Sequence, residues 1–193
     1  GRDARQRKGR RHGRSANEIR TEWRRRRAHG RASAADALFQ GRWFLPGGQV
    51  RAPGGSSPFA ADPPSETWAK ELHGFSWLRH FTAAHAANNG DTAQRYAQKL
   101  VADWIETEGN WHDIAWRPQV IGRRLTSWVA NGALIIDGTE LLYRSMPLRN
   151  MARQARHPAR VAAIAPAGEP RITAAMGIAC SGLCLSEGHK RLK

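Results

Sequence analysis

The amino-acid sequence predicts an all-α protein, and three observations predict it. From Trp68 onward, apolar side chains recur at spacings of three and four, the period that builds one buried face of a helix. Helix-start signals precede these runs: Ser65 behind two prolines, Asp91 after Asn-Asn-Gly, then Pro118 and Pro170. After Ala60 no stretch alternates apolar and polar residues as a half-buried strand would, and the connections are short enough to make neighbouring helices antiparallel. No fixed-period repeat is visible, which argues against a solenoid.

The chain is long enough for one domain, and its 40% hydrophobic content supplies a core. Its formal charge of +15 is uneven. Residues 1–31 hold 13 Lys and Arg against 3 Asp and Glu, a net of +10, and the rest of the chain carries +5. Ile19 and Trp23 are almost the only large apolar residues of that stretch, too few to offset the entropy of ordering it. Residues 1–35 are therefore expected to be a disordered basic tail, or at most a transient helix, and residues 36–193 a helical domain.

Residues 36–60 combine aromatic residues with five Gly and three Pro, which favours an irregular lead-in with one short hairpin. A first helix should begin at Glu66, capped by Ser65, and bury Trp68, Leu72, Phe75, Leu78 and Phe81, with Trp77 and Ala84 widening the face. A second, capped by Asp91, should bury Tyr96, Leu100 and Trp104 beside Ala97, Val101 and Ile105 and stop at Gly109. A third opens at Pro118, with Val120, Ile121, Leu125, Trp128 and Val129 inward. A fourth, over residues 139–163, should be kinked or broken at Pro147 and Pro158, each of which removes a backbone donor and crowds the preceding turn. A fifth opens at Pro170, buries Ile172, Met176, Ala179 and Leu183, and ends at Gly188.

The stretches ELHGFSWLRH (71–80), LVADWIETEGN (100–110), AWRPQVIGRRLTSWV (115–129) and ARQARHPAR (152–160), with FQGRWFLPGG before them, resemble the amino-terminal toroid of bacterial heparinase II/III family proteins. The resemblance spans about Asp36 to Lys193. It implies an incomplete (α/α) toroid, truncated at its C-terminus, which in a full-length lyase of glycosaminoglycans or similar acidic glycans precedes an antiparallel β-sandwich. The implied reaction is β-elimination on a uronic-acid-containing glycan. A base removes the C5 proton, a polar group neutralises the carboxylate and a donor protonates the leaving 4-linked oxygen. The family assigns these roles to an Asn, a Tyr and a His found later in the toroid and in the β-domain. None of them maps onto this sequence, so the catalytic residues stay unassigned and this fragment is expected to be inactive alone. The resemblance also implies a bacterial protein of the periplasm or cytoplasm.

The candidate substrate-binding residues are His73, Trp77, Arg79, Trp116, Arg117, Arg123 and Arg124. Aromatic faces stack on sugar rings, and guanidinium forks hold carboxylates or sulfates through paired hydrogen bonds. The competing reading makes His73 a hydrogen-bonded packing residue, Trp77 and Trp116 core side chains, and Arg123 and Arg124 members of structural ion pairs. Trp68, Trp104 and Trp128 read as core, and Tyr96 and Tyr143 as interior tyrosines with satisfied hydroxyls. His112 and Asp113 are adjacent in a loop, where their side chains diverge.

No P-loop, dinucleotide fingerprint, zinc-protease motif or nucleophile elbow is present, and no cofactor is expected. Cys180 and Cys184 are the only cysteines; without a second pair they suggest small buried apolar residues and no metal. No apolar run reaches the roughly 20 residues that cross a bilayer, and none follows the basic residues as a secretory signal would require. The expected partner is an acidic polysaccharide, with nonspecific polyanion contact through the tail. Two other readings stand beside it: a nucleic-acid-binding helical protein whose Arg-rich tail meets phosphates, and a noncatalytic carbohydrate-binding module.

Overall fold

The structure is a computed structural model that describes residues 16–52, 56–87, 90–109, 112–161 and 166–190. It is mostly helical. Helix α1 (Ala16–Phe39) leads into a hairpin of β1 (Arg42–Leu45) and β2 (Gly48–Arg51), followed by a 3-10 turn at Pro58–Ala60. Then come α2 (Glu66–Gly74), α3 (Leu78–Ala87), α4 (Gly90–Thr107), α5 (Pro118–Ala130), α6 (Gly132–Ile136), α7 (Leu141–Val161) and α8 (Glu169–Lys190). Helix α1 packs on α3, and α3 on α4. Helix α5 lies among α2, α7 and α8, its most extensive contact being with α8.

The expected tail boundary at residue 35 falls inside a helix. Residues 1–15 lie outside the described residues, but α1 runs from Ala16 across that boundary, and its last turns bury Ala35 and Leu38. Phe39 sets its ring 5.2 Å from Phe81 and 5.5 Å from Tyr96. Tertiary packing of this kind, more than intrinsic propensity, stabilises a helix in water.

The hairpin pairs Arg42 with Arg51 and Leu45 with Gly48 across a Pro46-Gly47 turn. Gly47 has φ +93°, which a side chain would resist, and an added Cβ would meet the Ser65 Oγ at 2.5 Å. That closeness is used. The Ser65 hydroxyl donates to the Gly47 carbonyl (2.8 Å) and accepts from the Trp68 N–H (3.1 Å), so one side chain both caps α2 and holds the turn.

The single helix expected from Glu66 to Ala84 is two. Phe75 adopts a left-handed conformation (φ 59°), closing α2 and redirecting the chain into α3. The strain of a non-glycine residue there is offset by complete burial. Its ring stands 4.8 Å from Trp77, 5.8 Å from Trp104 and 5.4 Å from Trp128, the last two edge-on. The residues expected to be buried on this stretch, Trp68 through Ala84, are buried all the same.

The C-terminal side departs from expectation in two places. Helix α7 runs unbroken through both Pro147 and Pro158, so the break allowed for there does not occur, and Pro147 itself is buried. Helix α8 passes Gly188 and turns the opposite face inward: Ile172, Met176, Ala179 and Leu183 are exposed, and Ala174, Gly177 and Ser181 are buried. Distance between backbones is the reason. A Cβ added to Gly177 would lie 2.4 Å from the Gly122 Cα, and one added to Gly122 would lie 2.2 Å from the Thr173 carbonyl oxygen. Helices this close admit only the smallest side chains at the seam. Cys180 is half-buried in this helix and Cys184 exposed, so the expectation of a buried pair fails for Cys184.

Gly177→Ala should therefore destabilise the fold by about 2 kcal/mol through overpacking. Gly182→Ala on the same helix, where an added Cβ meets nothing within 4 Å, should stabilise it by roughly 0.5 kcal/mol. Urea unfolding midpoints of the two variants against the parent chain test this; equal midpoints would remove the close seam.

Candidate functional site

The residues nominated from the sequence converge in space, but most of them converge as core. Arg124 on α5 is fully buried. Its Nε donates to Gln154 Oε1 on α7 (2.7 Å), and its Nη1 donates to the carbonyls of His73 (2.9 Å) and Ala115 (3.0 Å). Nη2 donates a second bond to Ala115 (3.0 Å), and the guanidinium carbon lies 4.1 Å from the centroid of the Trp104 ring. Burial pulls its pKa down to about 9, against the opposing charge of Glu108.

His73 sits beside it, also buried. The Trp104 indole N–H donates to His73 Nδ1 at 3.1 Å. An indole nitrogen can only donate, so Nδ1 must be the unprotonated nitrogen and the imidazole must be neutral. Electrostatics agree: burial first, then Arg124 and His112, hold the His73 pKa down to about 3. The His73 ring is stacked on Phe59 at 5.9 Å and tilted against His112 at 5.1 Å. Trp77 is buried, donates to the Leu72 carbonyl (2.9 Å) and stands edge-on to Trp43. These three side chains are occupied by the protein itself.

Trp116 and Arg117 close the turn before α5. Trp116 is 6% exposed and donates to the Glu108 carbonyl (3.1 Å), with the Arg153 guanidinium 5.4 Å from its ring centroid. Arg117 is the residue preceding Pro118, and it bridges α5 to the first turn of α2 through Glu66 (2.7 Å), with Asp113 at 3.5 Å. Hydrogen bonds from Lys70 and Arg117 lower the Glu66 pKa. The neighbouring His112 accepts from the Ala115 N–H (3.2 Å), so the loop pair is tied into local structure.

Only Arg79 and Arg123 share an open surface. They line a groove of about 350 Å³ between the start of α3 and the helices α5 and α8, together with Ser76, Thr126, Asn131 and Thr173. Arg123 is engaged there by Glu71 and by Glu169. Arg79 is exposed, and its charge is the one the groove offers to a ligand.

The sequence reading missed Gln154, Asn150, Arg149 and Arg153. Their spacing of one and four along RNMARQ places amides on one helical row and arginines on the adjacent one, the signal that could have found them. Both tyrosines are half-buried. Tyr143 donates to the Gln98 carbonyl (2.7 Å), and burial raises the pKa of each. Among the described residues no three His, Cys, Asp or Glu side chains gather as metal ligands, and no helix is long and apolar enough to cross a membrane.

The neutrality of His73 fixes a pH dependence. Its folded pKa lies below the unfolded value of about 6.5, so its contribution is complete above that pH and is lost as the pH falls toward about 3. Within that window stability should drop by up to roughly 1.4 kcal/mol per pH unit from this group. His73→Gln, which keeps an acceptor for Trp104, should show a shallower fall of melting temperature with acid than the parent chain. Parallel curves would mean that His73 takes up its proton while folded.

No family model and no solved structure matches the chain. Over 131 residues, 67% of this chain, it is 30% identical to FtsZ-localized protein C of Caulobacter vibrioides (strain NA1000 / CB15N). That stretch covers 21% of the relative, so the chain spans about a fifth of its length.

Proposed function

We propose that this chain is the amino-terminal helical part of a protein resembling the heparinase II/III lyases, an incomplete (α/α) toroid whose surface groove holds an acidic, uronate-containing glycan. The observation that supports this most is the meeting of Arg79 and Arg123, from separate helices, in one open groove with hydroxyl and amide side chains. A guanidinium pairs with a planar carboxylate through two parallel hydrogen bonds, and Ser76, Thr126 and Asn131 offer the neutral donors and acceptors that sugar hydroxyls require. Because Glu71 and Glu169 already balance Arg123, Arg79 is the carboxylate partner and Arg123 the wall beside it.

Elimination needs more than this groove supplies. Neutralising the uronate carboxylate acidifies C5–H, after which a base takes that proton, the C4–C5 double bond forms and the 4-linked oxygen leaves with a proton from an acid. Tyr143 and Tyr96 are half-buried with raised pKa values, and His73 is buried and neutral. In this reading the chain contributes binding and orientation, and the base and acid belong to other parts of a longer protein.

The chain alone should bind acidic oligosaccharides without cleaving them, and Arg79→Gln should weaken binding about tenfold, the loss of one charge-assisted pair. Arg117→Gln, outside the groove, should leave affinity unchanged. A longer form should release unsaturated uronate products, read by ultraviolet absorbance. Equal affinity for neutral and acidic glycans, or product release by this chain alone, would overturn the reading.

A second reading rests on the 131-residue similarity to a protein named for its localisation with FtsZ. If this region carries that property, the chain should co-sediment with FtsZ polymers and not with unpolymerised FtsZ. Recovery in the supernatant under both conditions would remove this reading and leave the glycan reading untouched.

A further inference from the structure

The hairpin that precedes α2 has two unlike faces. Side chains alternate along β1, so Trp43 is buried while Arg42 and Phe44 are exposed. The register sets Arg51 opposite Arg42 and Gln49 opposite Phe44, and both of these are exposed as well. Directly opposed residues share one side of a sheet, so the outer face gathers two arginines, an amide and an aromatic ring. The ring is open to solvent, Phe44 being 59% exposed.

The fold does not account for this cluster. Like charges directly opposite each other weaken a strand pair, and among the described residues neither Arg42 nor Arg51 is in an ion pair with a carboxylate. Arg42 donates to the neutral Gln40 Oε1 (2.6 Å). The support behind the face is stiff. Trp43 stands edge-on to Trp77, its carbonyl accepts from the Trp68 indole (3.4 Å), and Ser65 holds the Gly47 turn (2.8 Å). Side chains presented on such a support lose little freedom when a ligand arrives. Arg42 and Phe44 also line a cleft of about 140 Å³ together with Leu38, Trp77 and His80, room enough for one six-membered ring.

We propose that this outer face binds single-stranded nucleic acid, one base lying on the Phe44 ring and the phosphates beside it meeting Arg42 and Arg51. An exposed aromatic ring stacks with any base whose face is free, guanidinium groups pair with phosphate oxygens, and the Gln49 amide offers a donor and an acceptor to a base edge. In a duplex the base faces are covered by their neighbours. An acidic glycan fits less well, because the hydroxyls of a sugar need several hydrogen-bonding partners and this face has one amide, whereas a base needs the flat apolar surface that Phe44 supplies. The face shares no residue with the Arg79 groove and does not depend on the glycan reading.

The test uses the whole chain, whose basic residues 1–31 add an attraction to any polyanion that is blind to bases. Fluorescence anisotropy compares a short oligothymidylate with an abasic strand of the same length, a duplex of the same length and an oligogalacturonate of equal charge. Oligothymidylate should bind about tenfold more tightly than the abasic strand, the effect of one stacked base. Phe44→Ala should erase that preference at unchanged melting temperature and leave the duplex and oligogalacturonate affinities as they were, while Phe44→Tyr should keep it. Arg42→Gln with Arg51→Gln should weaken oligothymidylate binding and flatten its salt dependence. Equal affinity for the two single strands, a preference that survives Phe44→Ala, or a salt dependence unmoved by the double arginine variant would overturn the assignment. So would a loss of oligogalacturonate affinity in the Phe44 variant equal to the loss with oligothymidylate, which would make the face a sugar site.

Discussion

A fully buried guanidinium joins the parts of this protein. Arg124 belongs to α5, yet its donors reach the end of α2 at His73, the turn before α5 at Ala115, and α7 at Gln154, while its plane lies against Trp104 of α4. No carboxylate among the described residues is hydrogen-bonded to it, so carbonyl dipoles, an aromatic face and the more distant charge of Glu108 balance its own. That arrangement is sensitive to any missing part. Taking a charge out of water costs several kcal/mol, and only a complete set of partners recovers it. The end of α2, the contacts from α4 and α7 and the nearby Ala115 turn must all be correctly placed before Arg124 can be buried, which makes it a test of the fold as well as a bond within it.

Consequences run outward from that point. With its carbonyl tied to Arg124 and its ring nitrogen to Trp104, His73 fixes where α2 ends, immediately before the left-handed Phe75. Phe75 in turn sets its ring among Trp77, Trp104 and Trp128. In the other direction, Gln154 and Asn150 inherit their amide orientations from Arg124, because a donor-only group leaves no choice.

How much of this was legible depends on whether the signal was local. Ser65 and Pro118 mark helix starts by chemistry within one turn, and both act as read. The apolar period found the buried residues of α2 to α5 even where it missed the break at Phe75, because burial follows hydrophobicity while a left-handed turn has no apolar signature. The same rule failed on α8. There the largest apolar residues face out and Ala174, Gly177 and Ser181 face in, because a close seam with Gly122 selects for small side chains. A period of apolar bulk cannot show a face chosen for its lack of bulk. Pro147 continues within α7 for a related reason: the cost of one lost backbone bond is set against the packing of the helix face that buries Pro147, Asn150, Met151 and Gln154, which the chain sequence does not display.

The site was legible as a set of residue types and illegible as a set of roles. Arg123 and Arg124 are neighbours in sequence, but their side chains part by about 100° around a helix, one toward the Ala115 carbonyl and the other toward Glu71 and Glu169. Apart from the Ala115 carbonyl, nine residues before Arg124, their partners come from 30 to 52 residues away, so little in their local context distinguishes the structural arginine from the surface one. Once the structure assigns Arg124 to the interior and Glu71 and Glu169 engage Arg123, Arg79 is the nominated arginine whose charge stands exposed beside α5. Positive side chains on stiff, mutually braced helices lose little freedom when an anion arrives. This is the physical ground on which the Arg79 groove is the place to look for a specific acidic ligand.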